Sequence, residues 1–214
     1  MPPGTSWRPG QGEPTATLLL RHGQTAMSAQ KRYAGRSDAP LTDVGVQQAA
    51  AAAKRLASSG IAVIMTSPLL RTVQTAQEVA AVTGAAVITD DGFRETDFGA
   101  WEGLTFTEVR ERWPAELATW LADPAVAPPG GESFTDVSAR VSAALHRVLG
   151  ARAGQTVLIV SHVTPIKTLV AAALLAPPAA LYRMHLDVAA LSAIDWYTDG
   201  PAVLRSFNDT GHLS

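Results

Sequence analysis

Residues 18–25 read "LLLRHGQT", an apolar run that passes directly into an arginine, a histidine and a glycine. An uninterrupted apolar run of this kind is typical of a β-strand that is covered on both faces. Arginine is seldom buried without a partner, so a cation is an unusual residue at the end of such a strand. We therefore expect Arg21 and His22 to meet a partner group at this strand end.

The pattern on either side of this stretch alternates β-branched runs with helical periods, which is the signature of an α/β domain with a parallel sheet. The predicted strands span residues 16–20, 61–66, 85–89, 156–161, 189–195 and 202–207. The predicted helices span residues 42–59, 69–83, 133–150 and 165–175. We expect a three-layer α/β/α sandwich with a mostly parallel central sheet. Thr42 and Ser133 are the predicted N-caps of two of these helices, and Asp136 completes a capping box with Ser133.

Two segments depart from this alternation. Residues 98–132 are rich in tryptophan and end in "PPGGE", which predicts a small cap of helical pieces laid over one edge of the sheet. Residues 1–15 are rich in proline and glycine and predict a flexible linker or tail before a single domain at 16–214.

The composition excludes several classes of protein. A formal charge of −2 argues against nucleic-acid binding by this domain, and the absence of cysteine excludes disulfides and thiolate metal sites. No apolar run reaches the roughly 18 residues of a membrane span, and the first residues lack a signal-peptide core. A cytoplasmic protein is the expectation, and the sequence leaves the oligomeric state unknown.

Polar residues follow the predicted strands at corresponding positions. Arg21 and His22 end the first strand, and Arg71 lies in the first turn of the helix after the second. Glu95 follows the third strand and His162 follows the fourth. Because the carboxyl ends of parallel strands meet at one rim of a sheet, we expect these five side chains to converge.

This set of side chains suits phosphoryl transfer. Two arginines and helix N-termini bind a phosphoryl dianion, and an imidazole can attack phosphorus to form a covalent intermediate. A carboxylic acid can protonate the departing alcohol, and a second imidazole, if protonated, can stabilise charge on the phosphoryl oxygens. Gly23 is expected to let the backbone approach the phosphate closely. The cationic side chains supply the charge that a metal supplies in kinases, so we expect no metal and no cofactor.

Six motifs, in order, carry a resemblance to a known family: "LLLRHGQT", "GRSDAPLTDVGVQQA", "TSPLLRTVQTA", "FRETDFGAWEG", "PGGES" and "VSHVTPIK". From about residue 16 to 209 the chain resembles the histidine phosphatase superfamily, with its phosphoglycerate-mutase-like fold. The resemblance implies that His22 is the phosphorylated nucleophile and Glu95 the proton donor. It implies a phosphate pocket of Arg21, Arg71 and His162, and a small phosphate monoester as the substrate.

Within that superfamily the chain is most similar to the α-ribazole phosphatase and acid phosphatase branch. The resemblance to this branch implies an acidic pH optimum. The chain especially resembles the phosphatase domain that follows a ribonuclease H domain in some proteins, so we expect it to be the excised second half of a longer protein. We also assign Thr25, Ser28 and Arg36 to substrate binding. Ser28 stands where the family usually has asparagine, and Val163 follows His162 where the family usually has glycine.

Several alternatives remain open from the residues. Asp97 and Glu102 lie close enough to Glu95 to compete for its role, and we expect Glu102 to support the neighbouring loop instead. A zinc site is disfavoured because the histidines lack ligand-type spacing. The tryptophan-rich segment could form an apolar wall for an aromatic alcohol, with Tyr33 nearby, or could simply pack the cap. A phosphoglycerate mutase and a non-catalytic phospho-ligand binding domain are the alternative functions.

Overall fold

The computed structural model describes residues 12–214, which form a six-stranded mixed sheet with helices on both faces. The strands are β1 (Thr15–Arg21), β2 (Ile61–Thr66), β3 (Ala86–Thr89), β4 (Thr156–Ser161), β5 (Leu191–Trp196) and β6 (Ala202–Asp209). Their order across the sheet is β3-β2-β4-β1-β5-β6. The first four in this order are parallel, and β5 and β6 extend the sheet in antiparallel fashion. The predicted mostly parallel sheet is confirmed.

The helices pack in two layers and a cap. They are α1 (Ala26–Ala29), α2 (Asp43–Leu56), α3 (Leu70–Thr83), α4 (Phe106–Arg112), α5 (Pro114–Ala122), α6 (Phe134–Ala151) and α7 (Val163–Ala173). Short 3-10 helices span Asp91–Phe93, Gly99–Trp101, Pro178–Arg183 and Gly211–Leu213.

The alternation of side chains along β1 explains the layers. Leu19 is buried against α6 and α7, whereas Leu20 is buried against α2 and α3 on the opposite face. Successive residues of a strand point to opposite faces, so an unbroken apolar run can serve two cores at once. The three-layer architecture expected from the sequence is therefore present.

Local signals set most helix ends. Thr42 accepts a hydrogen bond from the backbone N–H of Gly45, and Ser133 and Asp136 form the predicted capping box. Gly84 closes α3 with a φ of 70°, a left-handed conformation that glycine adopts without steric cost. Helix α7 begins at Val163, two residues before the predicted start, because His162 has the extended backbone of an N-cap residue.

The cap lies in a different place from the one predicted. Phe98, Phe106 and Trp120 line the same cavity as Arg21 and His22, so the cap covers the carboxyl ends of the central strands β1 and β4 instead of a sheet edge. The cap and its neighbours have an aromatic core of their own.

The first strand begins at Thr15, one residue before the predicted domain boundary. The predicted linker lies largely outside the described residues. Among residues 12–214, no helix has both the length and the apolar character that a membrane span requires.

Candidate active site

The two histidines of the predicted site lie side by side because β1 and β4 are neighbours. Arg21 is paired with Ser161 in the register of the two strands, and the N–H of His22 donates to the carbonyl of Ser161 at 3.1 Å. Each of these two strands is followed directly by a histidine, and the strand register brings the two histidines together. The rings of His22 and His162 are 5.1 Å apart, centroid to centroid, and inclined at 62°.

The protonation of His22 follows from one hydrogen bond. Its Nδ1 lies 2.8 Å from the carbonyl oxygen of Gly23. A carbonyl oxygen only accepts, so Nδ1 carries the proton and Nε2 keeps its lone pair. Burial, together with the positive charges of Arg21 and Arg71, lowers the pKa of His22 well below its usual value. His22 is a neutral imidazole with a free Nε2 lone pair, the form that a nucleophile requires.

His162 has the opposite tautomer. Its Nδ1 accepts a hydrogen bond from Nε of Arg71 at 3.3 Å, so its Nε2 donates to Oγ of Ser67 at 2.8 Å. Burial and the neighbouring Arg71 lower the pKa of His162 well below its usual value, which favours the neutral ring. The protonated second imidazole considered from the sequence is disfavoured in this arrangement. Ser67 is a site residue that the motif reading does not identify, although it lies inside the motif "TSPLLR".

Arg71 is buried and holds the loop that precedes α2. Its guanidinium donates to the carbonyl oxygens of Ser37 at 2.6 Å, Ala34 at 2.9 Å and Gly35 at 3.2 Å. Burial lowers the pKa of Arg71, and the negative charge of Glu95 acts in the other direction. Arg71 therefore links the loop to His162.

Glu102 supports the same loop from its other side. Its carboxylate accepts hydrogen bonds from the backbone N–H groups of Gly35 at 2.9 Å and Ser37 at 3.0 Å. The prediction that Glu102 supports a loop is confirmed by these contacts.

Glu95 lies at the N-terminus of α7. Its carboxylate accepts from the backbone N–H groups of Val163 at 3.0 Å, Thr164 at 3.2 Å and Thr96 at 2.8 Å. These amides fix the carboxylate at the edge of the cavity that also contains His22.

Arg21 presents an unused donor. One of its nitrogens, Nη1, donates to the carbonyl of Leu186 at 2.6 Å, while its Nε is buried with no hydrogen-bond partner among residues 12–214. Burial lowers the pKa of Arg21 to about 10, and the charges of Glu95 and Asp187 act in the other direction. At neutral pH it remains a cation, and because it lines the cavity its charge is suited to an anionic ligand.

These side chains border a cavity of about 380 Å³ with two kinds of lining. The cavity floor is polar and consists of Arg21, His22, Thr25, Ser28 and Glu95. The aromatic wall consists of Tyr33, Phe98, Phe106, Trp120, Phe134 and Tyr182. Trp101, by contrast, is fully buried in the core of the cap. Some aromatic residues of the cap therefore form a cavity wall, and others only pack the cap.

Three other predicted site residues do not line the cavity. Arg71 and His162 lie beneath the floor with 1% and 0% of their surface exposed, and they do not line the cavity. Arg36 also lies outside it and forms an ion pair with Asp97, at 2.6 Å, while its own side chain is 72% exposed. Because Asp97 is paired with Arg36, it does not compete with Glu95 for the role of proton donor.

Thr25 and Ser28 line the cavity while capping α1. The backbone N–H of Ser28 donates to the Thr25 hydroxyl at 3.2 Å, and the backbone N–H of Thr25 donates to the Ser28 hydroxyl at 2.9 Å. The structure shows a further reason for Gly23, beside its predicted approach to the phosphate. A Cβ at this position would overlap the carbonyl oxygen of Gly45, so the glycine is required where the loop packs against α2.

The sequence model of the histidine phosphatase superfamily (branch 1) matches residues 17–210. The chain belongs to the histidine phosphatase superfamily. Among its relatives, the bifunctional protein Rv2228c of Mycobacterium tuberculosis is 49% identical over 213 residues, covering 99% of this chain and 58% of that protein. This chain thus spans little more than half the length of that relative. The probable phosphoglycerate mutase GpmB of Yersinia pestis is 36% identical over 203 residues, covering 91% of this chain and 93% of that protein.

Solved histidine phosphatase-like structures agree with the fold. A mycobacterial glucosyl-3-phosphoglycerate phosphatase, Rv2419c, in complex with VO3, is 30% identical with a TM-score of 0.85, covering 92% of this chain and 100% of that chain. A putative alpha-ribazole-5'-P phosphatase from Escherichia coli is 27% identical with a TM-score of 0.84, covering 92% of this chain and 97% of that chain. The superfamily neighbours of this chain thus include phosphatases and a mutase-named relative.

Proposed function

We propose that this domain hydrolyses phosphate monoesters through a phosphohistidine intermediate at His22, without a metal ion. The observation that carries the proposal is the state of His22, whose Nδ1 proton is held by the carbonyl of Gly23 and whose Nε2 lone pair is free. It lines a cavity together with an arginine that has an unused donor and with a carboxyl group.

In the first step Nε2 of His22 attacks phosphorus. The N–P bond forms while the ester P–O bond breaks, and Glu95 in its acid form gives its proton to the leaving oxygen. Arg21, a cation that lines the cavity, stabilises the negative charge of the transferring group. Arg71 lies beneath the floor and acts on the site through its hydrogen bond to His162.

In the second step water attacks the phosphohistidine. The carboxylate of Glu95 takes a proton from the water, a new P–O bond forms and the N–P bond breaks. Inorganic phosphate and neutral His22 are the products, and Glu95 is again a carboxylic acid. The enzyme therefore returns to its starting state after one turnover.

The lowered pKa of His22 supports an acid phosphatase. A nucleophile with a lowered pKa stays unprotonated in mildly acidic solution, where a histidine of ordinary pKa would be largely protonated. Because the chain is similar to a putative alpha-ribazole-5'-P phosphatase, we include α-ribazole-type phosphate esters among the first substrates to try. A pH–rate profile that peaks above neutrality would contradict the acidic optimum.

The decisive experiment is hydrolysis of 4-nitrophenyl phosphate in EDTA, followed by mass spectrometry of the quenched enzyme under neutral and acidic conditions. We expect turnover and an acid-labile phosphate on His22. Replacement His22→Ala should abolish the label and lower kcat by on the order of 10³-fold or more. His146→Ala is the matched control, because this histidine is exposed on α6 and its Nδ1 bonds to the carbonyl of Ser142, outside the cavity. Turnover by His22→Ala at the wild-type rate would overturn the proposal, and phospho-ligand binding without turnover would favour a binding domain.

A phosphoglycerate mutase is the second candidate, favoured by the 36% identity to the probable mutase GpmB. The two functions differ in the acceptor of the phosphoryl group. Incubation with a phosphoglycerate and phosphorus NMR will separate them, since a mutase yields the isomeric phosphoglycerate and a phosphatase yields inorganic phosphate.

A preceding ribonuclease H domain in the full-length protein stays a prediction. A relative named as a bifunctional protein, of which this chain matches 58%, is consistent with such a fusion. The mass of the protein purified from its native source will test it.

A further inference from the structure

Lys167 is a cavity residue that the proposed reaction does not use. It lies on α7 four residues after Val163 and three after Thr164, and all three residues line the cavity. Residues with this spacing share one face of a helix, so Lys167 lies one turn beyond the amides that hold Glu95.

The ammonium group has little compensation within the protein. Its Nζ donates to the carbonyl oxygen of Leu181 at 3.3 Å, and no carboxylate forms an ion pair with it among residues 12–214. Burial lowers its pKa, with Glu95 acting in the opposite direction and Arg21 adding to the decrease. A partly buried cation without a counter-ion is costly, and an ammonium has three donors to satisfy.

The hydrogen bond of Lys167 directs its ammonium group toward the aromatic wall. The acceptor carbonyl belongs to Leu181, a cavity residue next to Tyr182 of the aromatic wall. Glu95, which donates to the leaving oxygen in the proposed reaction, is one helical turn away. Lys167 therefore lies where the floor meets the wall, beside the alcohol part of a bound ester.

We propose that Lys167 forms a second anion subsite, which binds a carboxylate on the alcohol part of the substrate. The inference rests on the proposed function, because it takes the phosphoryl group to lie on the cavity floor. A single lysine matches the single charge of a carboxylate, whereas a second phosphate dianion would call for further donors of the kind that Arg21 supplies on the floor. The preferred substrates are then phosphate monoesters of hydroxy acids whose apolar part contacts the aromatic wall.

The test uses unreactive phosphonates, so that binding is measured separately from turnover. Calorimetry compares 4-carboxybenzylphosphonate with 4-carbamoylbenzylphosphonate, and 3-phosphonopropionate with 3-phosphonopropionamide. The members of each pair differ in one charge at nearly the same shape. We expect the wild type to bind the carboxylate of at least one pair on the order of tenfold more tightly than the amide.

Lys167→Met should remove this preference and leave the affinity for the amides within about twofold. Lys54→Met is the matched control, because this lysine is exposed on α2. Equal binding of carboxylate and amide by the wild type in both pairs would overturn the proposal. So would a preference that survives Lys167→Met and disappears with Lys31→Met, the other lysine of the cavity. Absence of hydrolysis alongside a carboxylate preference that depends on Lys167 would contradict the proposed function and leave the subsite standing.

Discussion

The cavity floor and the aromatic wall are built in different ways. On the floor, His22 and Glu95 are oriented by hydrogen bonds to backbone groups. In the wall, the rings pack on one another: Trp120 lies 5.0 Å from Phe134 and 5.9 Å from Tyr182, centroid to centroid. Backbone groups are present whatever the side chains are, whereas ring packing depends on each side chain. The floor can therefore keep one chemistry, while substitutions in the aromatic wall change which substrate is bound.

If the floor performs the chemistry, the largest effect short of removing the nucleophile comes from Glu95→Gln. We expect kcat to fall on the order of 10²- to 10⁴-fold for an alkyl phosphate, because the amide cannot protonate the leaving oxygen. The loss should be much smaller for 4-nitrophenyl phosphate, whose leaving group needs no proton. Steady-state kinetics with both substrates measures this difference.

Glu102→Gln is the control for Glu95→Gln, since within residues 12–214 Glu102 accepts only from the loop amides of Gly35 and Ser37. It should lower activity on both substrates by the same factor. An equal loss for both substrates in Glu95→Gln would contradict its role as proton donor.

If the wall selects the substrate, its variants will change KM more than kcat. Phe106→Ala should raise KM for 1-naphthyl phosphate roughly three- to tenfold, because part of an aromatic contact is lost. The KM for a small alkyl phosphate should stay close to the wild-type value. Leu121→Ala is the matched control, since Leu121 has the same exposure of 43% as Phe106 but does not line the cavity. A fall in kcat alone in Phe106→Ala would show that wall and floor do not act separately.

The smallest expected effect concerns stability and the residues beneath the floor. The pKa of His162 is lowered in the folded protein, so below about pH 6.5 the unfolded chain takes up a proton that the folded protein does not. Its contribution to stability is therefore full above that pH and is lost as the pH falls. His162→Gln should reduce the slope of unfolding free energy against pH by up to ~1.4 kcal/mol per pH unit between pH 6.5 and 5.5.

Urea unfolding of wild type and variant at pH 7.5, 6.5 and 5.5 measures this slope. Ser67→Ala is the control, because it removes the hydroxyl that bonds to His162 without removing a titrating group. It should lower stability at every pH and keep the slope. A slope unchanged by His162→Gln would show that its pKa is not lowered by burial.

The sequence was sufficient for those features that depend on local order. The β1 run and its Arg21-His22 end predicted both the strand and the residues at its carboxyl end, because the faces of a strand and the end of a run are set by neighbouring residues. The Ser133 capping box was predicted for the same reason, since its partners are three residues apart. Family membership followed from motifs that are each local.

Other features could be seen only in the folded chain. The hydrogen bond from His162 to Ser67 joins residues 95 positions apart, and the bond from Arg71 to His162 joins residues 91 apart. Likewise, the exposure of Arg36 and the place of the cap depend on contacts between segments that the sequence separates. These contacts depend on how distant segments pack together, which a local sequence pattern does not predict.

The sequence by itself determined the type of sheet, the residues at its carboxyl ends and thus the chemistry available to them. Only the tertiary structure decided the tautomers of the two histidines, the burial of Arg71 beneath the floor and the position of Lys167 beside the aromatic wall. The physical reason is that a residue's type and its place on an element depend on its neighbours along the chain. Its protonation, its partners and its access to a ligand depend on groups that only folding brings within a few ångströms.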